Sequence, residues 1–137
     1  MSLRLPRAFA DAIVDQARSE HPNEACGLLA GRQSENGGSA TKIFPTTNAE
    51  RSPVIYRIDP KEQFRVFRQI EDEGLDLVGI YHSHTRSPAY PSNTDVAQAY
   101  YPEAVYLIVS LAQQEAPDLR GYRITDGRVT EVDLDIS

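Results

Sequence analysis

His82 and His84 are two of only three histidines in the chain, and Asp95 follows shortly after them. Two imidazoles and a carboxylate are donor types that hold a divalent metal, and three protein ligands leave a tetrahedral zinc one open position for water. Residues two apart in a strand point to the same face with Cα atoms about 6.6 Å apart, so both imidazoles can converge on one ion. The pair alone also fits two histidines hydrogen-bonded at a sheet edge, and the full set also fits the facial triad of a non-haem iron oxygenase. Water-activated hydrolysis needs a general base as well. Among 20 acidic residues, Glu24 stands out because it leads directly into an apolar segment, where a carboxylate is costly without a role or a partner. Ser92 and Asp95 form a Ser-x-x-Asp pattern that reads as a capping box, and a capped helix start there would aim the Asp95 carboxylate.

These residues need a frame. Leu77 to Tyr81 reads as a buried strand that ends at the histidines, and Val105 to Leu111 as a second one. Between them, Thr85 to Asn93 carries Pro88 and Pro91 and reads as a loop, followed by a short helix over Thr94 to Tyr101. Upstream, Ala10, Ile13, Val14 and Ala17 have the spacing of an amphipathic helix over Arg7 to Glu20. Cys26 to Ala30 follows as a strand, Gln33 to Ser39 as a turn, and Thr41 to Phe44 as the second arm of a hairpin. Val54 to Ile58 has strand character; Asp59 and Pro60 then cap and open a helix that carries Phe64, Phe67 and Ile70 and stops at Gly74. Asp126-Gly127 predicts a terminal hairpin between Gly121 to Thr125 and Val129 to Leu134. The pattern is α+β or mixed α/β, with hairpins at both ends.

At 137 residues the chain fits one domain, residues 1–137. Its 40% hydrophobic and 25% charged residues exclude a disordered or fibrous class. A net charge of -6 with no cluster of lysine and arginine argues against a nucleic-acid surface. The N-terminus has no apolar signal run and no stretch is long enough to span a bilayer, so a soluble, cytoplasmic protein without a membrane partner is expected. The lone Cys26 precludes an internal disulfide and reads as a core thiol, although its distance from Glu24 also allows it to share that residue's face. Tyr81, Tyr90, Tyr100 and Tyr101 read as packing residues or as the walls of a groove for an extended tail.

Glu24, then His82-Ser83-His84, seven residues, and Ser92-Asn93-Thr94-Asp95 resemble the Glu…His-x-His-x7-Ser-x2-Asp motif of the JAMM (MPN+) metalloprotease family. Glu24 to Gly31 resembles the family's glutamate-bearing segment, and Val78 to Tyr81 its strand before the histidines, so the resemblance runs from about Leu3 to Leu134. It implies a curved, mostly antiparallel β-sheet flanked by helices, the cytidine deaminase-like JAMM/MPN fold. It implies that His82, His84 and Asp95 bind zinc, that Glu24 deprotonates the water and protonates the leaving amine, and that Ser92 supports the oxyanion. Thr85 stands where many members have proline, and the chain has little room for the insertions of chain-specific ubiquitin proteases. The compact form is similar to stand-alone bacterial members, which implies as partner a ubiquitin-like sulfur carrier protein ending in Gly-Gly and release of cysteine or another amine from it. A family member that kept the fold without catalysis would instead serve as an interaction module.

Overall fold

The computed structural model describes residues 1–137. Seven strands and three helices follow in the order β1 (Ser2–Leu5), α1 (Arg7–Glu20), β2 (Cys26–Ser34), β3 (Gly37–Thr46), α2 (Pro60–Asp72), β4 (Asp76–His84), α3 (Asn93–Ala97), β5 (Val105–Ser110), β6 (Asp118–Thr125) and β7 (Arg128–Ile136). The strands form one strongly curved sheet in the order β1-β3-β2-β4-β5-β6-β7, closed because β1 pairs in parallel with both β3 and β7. β4 and β5 are the third parallel pair, and the four other pairings are antiparallel.

β2, β4 and β5 read as near-continuous apolar runs because both faces of the sheet are covered. On one face Leu29, Tyr81, Leu107 and Val109 pack with Leu3 and Leu5 against Ala10, Ile13 and Ala17 of α1. On the other, Cys26, Leu28, Ile80 and Tyr106 pack against Val66 and Phe67 of α2 and Val96 of α3. The alternation of adjacent residues between two clusters is the period of two that a strand imposes. α2 starts as its sequence predicts: the Asp59 carboxylate accepts from the backbone N–H groups of Lys61 and Glu62, Pro60 occupies the first turn, and Gly74 takes φ +65° past the end.

The structure departs from the expected elements in four places. The first hairpin turns at Glu35-Asn36 alone, so β2 and β3 extend through most of the segment expected to be a turn. Val54 to Ile58 is not a strand, because its backbone is engaged by the Asn48 side chain and only Asn48 and Ile58 form an isolated bridge. α3 spans only Asn93–Ala97 and gives way well before Tyr101. β1, which sequence periodicity does not reveal in four residues, is the strand that closes the sheet.

Gly27 shows how tightly the segment behind the site is packed. A Cβ there would lie 2.2 Å from Tyr81 Cζ and Oη. Tyr81 is only 1% exposed, and its hydroxyl donates to Gln16 Oε1 while Gln16 Nε2 donates to the Cys26 carbonyl. The ring has nowhere to go. Gly27→Ala is therefore expected to destabilise the fold by about 3 kcal/mol, as overpacking of a dense core does, with a lower urea midpoint as the readout.

Candidate functional site

β4 delivers both histidines to the same end of the sheet, with His82 and His84 each at most 3% exposed. Asp95, in the first turn of α3, reaches back so that its Oδ2 lies 3.1 Å from His82 Nε2 and 3.0 Å from His84 Nε2. The two Nε2 atoms are 3.2 Å apart. Donors about 2.0–2.1 Å from a common tetrahedral ion are separated by about 3.3 Å, so the triangle has the dimensions of a metal-binding face. Ser92 caps α3 as a complete box: its Oγ accepts from Asp95 N at 3.0 Å, and its own N–H donates to Asp95 Oδ2 at 2.9 Å. The capping residue and the aimed carboxylate are thus one device.

The tautomer of His84 follows from its second nitrogen. Nδ1 lies 2.8 Å from the Pro88 carbonyl, which can only accept, so Nδ1 carries the proton and Nε2 of the neutral ring is left with a lone pair. That lone pair faces the Asp95 carboxylate, an arrangement that calls for a cation or a proton between them. The loop carrying Pro88 is itself fixed: Ser110 Oγ donates to Ser87 O at 2.7 Å, and the Tyr122 hydroxyl donates to Ala89 O. His82 stacks on Tyr56 at 4.2 Å, and its Nδ1 is buried without a hydrogen-bond partner. Burial disfavours the charged form of Asp95, but the hydrogen bonds from His82 and the Ser92 N–H, together with the proton that His84 Nε2 takes up when no cation lies between them, outweigh it and hold Asp95 far below the usual carboxylate range.

Glu24 is 4% exposed, and its Oε1 has no hydrogen-bond partner. Burial pushes its carboxyl up to about 8. A buried carboxylate with an idle oxygen is unfavourable for folding alone, and the surrounding structure holds it in place from three sides. Glu24 N donates to Ser52 O at 2.8 Å, Asn48 Nδ2 donates to Glu24 O at 3.1 Å, and the next residue's N–H donates to Ser83 Oγ at 2.7 Å. Glu24, His84 and Ser92 line one open cavity of about 340 Å³. All five residues singled out from the sequence thus occupy one neighbourhood.

Two positioning residues escape the sequence reading. Asn48 is buried, and its side chain also donates to Ile55 O and accepts from Glu50 N and Arg57 N, tying the segment that follows it to the backbone of Glu24. No local pattern announces this role. Ser83 has a clearer signal: a polar residue inside a buried strand, pointing away from its two histidine neighbours, needs a partner. Thr85, in place of the proline common in the family, donates through Oγ1 to Pro53 O at 3.0 Å. Cys26 is fully buried among apolar residues with its Sγ 3.4 Å from Thr46 Oγ1, and burial pushes the thiol up to about 11, which makes it a core group.

Residues 6–125 match the family model Prok-JAB, prokaryotic homologs of the JAB domain. The chain is 48% identical over 128 residues to the CysO-cysteine peptidase of Mycobacterium tuberculosis, covering 93% of this chain and 86% of that one. It is 40% identical over 113 residues to the desampylase of Haloferax volcanii, covering 79% and 80%. A solution structure of a protein from Desulfitobacterium hafniense superposes with a TM-score of 0.88 at 32% identity, covering 98% and 92%. With a donor triangle, a buried carboxyl beside it and relatives that are peptidases, the chain belongs to the prokaryotic JAB-domain family and is a hydrolase.

Proposed function

We propose that the chain is a zinc-dependent peptidase that hydrolyses the amide bond after the C-terminal Gly-Gly of a ubiquitin-like or sulfur carrier protein, releasing cysteine or another amine. The observation that carries this reading is the convergence of His82 Nε2, His84 Nε2 and Asp95 Oδ2 beside a cavity that also contains the buried Glu24 carboxyl. The relatives' names, a peptidase for a cysteine adduct and a desampylase, support the substrate class. An oxygenase triad gives Glu24 no task. No helix is long and apolar enough to cross a membrane, and we place the reaction in the cytoplasm, where a free thiol such as Cys26 persists.

His82, His84 and Asp95 would hold the ion. Zinc bound there would supply a Lewis acid for the scissile carbonyl, would lower the pKa of a water toward about 7, and would add positive charge that favours ionised Glu24. Glu24 takes the proton from the attacking water and returns it to the departing nitrogen, a transfer suited to a carboxyl raised toward neutrality. Ser92 Oγ already accepts from Asp95 N–H, so its single hydroxyl proton is free to donate to the oxyanion. Ser92→Ala is expected to lower kcat by about 10²-fold with a much smaller change in KM, measured by steady-state kinetics.

The test of the reaction is intact mass. A carrier protein ending in Gly-Gly and bearing a cysteine on its terminal carbonyl is incubated with zinc-loaded protein. Loss of one cysteine with restoration of the Gly-Gly end is the expected result. An adduct that survives excess enzyme unchanged contradicts the proposal.

A further inference from the structure

We propose that Arg86 is the specificity-determining residue that binds the α-carboxylate of the departing amino acid, so that the enzyme prefers adducts of a free amino acid to lysine isopeptide conjugates. This rests on the peptidase reading above and names the leaving group it selects.

The cavity beside the donor triangle has Glu24, His84 and Ser92 in its lining together with Pro53, Val54 and Arg86. Arg86 is its only lysine or arginine, is exposed, and makes no hydrogen bond or ion pair within the chain. Its backbone is nevertheless fixed on both sides. Thr85 is bonded through its hydroxyl to Pro53 O, and the carbonyl of Ser87 accepts from Ser110 Oγ. Arg86 thus lines, from an anchored loop, a cavity whose volume of about 340 Å³ suits a small molecule, and its guanidinium has no partner within the chain.

The chemistry of the leaving group matches. Glu24 must reach the scissile nitrogen in order to protonate it, so that nitrogen and its substituents lie in this cavity. In an amino-acid adduct the carboxylate is attached to the carbon next to that nitrogen. It would lie near the carboxyl groups of Glu24 and Asp95, and a cationic side chain lining the same cavity offsets their repulsion. A guanidinium offers the bidentate pairing that fits a carboxylate, and lysine in its place offers only a point charge. In a lysine isopeptide the scissile nitrogen is followed by a methylene chain, and no carboxylate stands where Arg86 can use it.

The experiment compares three substrates on one carrier: a cysteine adduct with a free carboxylate, the same adduct as the carboxamide, and a conjugate to the side-chain nitrogen of a lysine within a peptide. The readout is the ratio of kcat/KM for the free acid to that for the carboxamide. Wild type is expected to favour the acid by about 10-fold or more, the size of a charge-assisted hydrogen bond, and to favour it over the isopeptide as well. Arg86→Gln should bring the acid-to-amide ratio close to one, and Arg86→Lys should restore part of it. Because each variant is compared with itself, a general loss of folding or of metal cancels. A wild-type ratio near one, or a ratio that Arg86→Gln leaves intact, overturns the assignment while the peptidase reading stands. If wild type cleaves none of the three, the peptidase reading fails and the assignment with it.

Discussion

Glu24→Gln is expected to lower kcat/KM by about 10³-fold with its metal content equal to that of wild type, because the substitution removes the proton carrier and none of the three convergent donors. The same variant makes a second prediction that a merely structural carboxyl would not share. In the metal-free protein Glu24 ionises near pH 8, whereas in the unfolded chain it ionises near 4.5. Between those values the native state holds a proton that the unfolded state has lost, so native stability falls as pH rises from 4.5 to 8 and is unaffected by this group below the window. Glutamine has no such slope. Metal-free Glu24→Gln should therefore match wild type at pH 4 and exceed it by about 2 kcal/mol at pH 9, at about 1.4 kcal/mol per tenfold change in ionisation with a discount for relaxation around the charge. Urea unfolding at the two pH values measures this directly. A variant that is dead yet more stable at alkaline pH is the signature of a group retained for chemistry.

Asp95→Asn should fail differently. Asp95 Oδ2 is the atom common to the whole arrangement, 3.1 and 3.0 Å from the two histidine nitrogens and accepting from Ser92 N at 2.9 Å. The amide keeps the size of the side chain and can still accept from Ser92, so the helix cap should lose no more than about 1 kcal/mol. It loses the negative charge that the two neutral imidazoles need to hold a dication. Zinc affinity is expected to fall by more than about 10²-fold, and activity with it, with partial recovery in excess zinc. Metal content thus separates the two variants: Glu24→Gln is loaded and inactive, Asp95→Asn is empty and inactive. Competition with a chromophoric chelator measures the affinities.

The parts of this architecture that could be read along the chain are those set by local rules. β4 and its histidines follow from the apolar run and the period of two, α2 from the Asp59 cap and Pro60, and the last hairpin from Asp126-Gly127, which takes φ +52° and +78°. The site was legible where types and spacing are specific, in His82, His84, Ser92 and Asp95, and Glu24 depended largely on family resemblance. What could not be read is set by partners distant in sequence. Leu3 in β1 pairs with Gly38 and Leu134, neither of which a four-residue segment can announce. The residues Val54 to Ile58 have β propensity, yet Asn48 takes up Ile55 O and Arg57 N and holds them as a loop beside Glu24. Asn48 has meaning only once those backbone groups are brought to it.

Titrating metal back into stripped enzyme tests most directly whether His82, His84 and Asp95 hold a catalytic ion beside Glu24. Protein freed of metal by a chelator is supplied with increasing zinc, and cleavage of the carrier–cysteine adduct is followed at each addition. Activity should be absent at the start, rise in proportion to zinc, and level off at about one equivalent, as a single three-ligand site requires. Full activity in the stripped protein, or a rise that ignores that stoichiometry, contradicts the account.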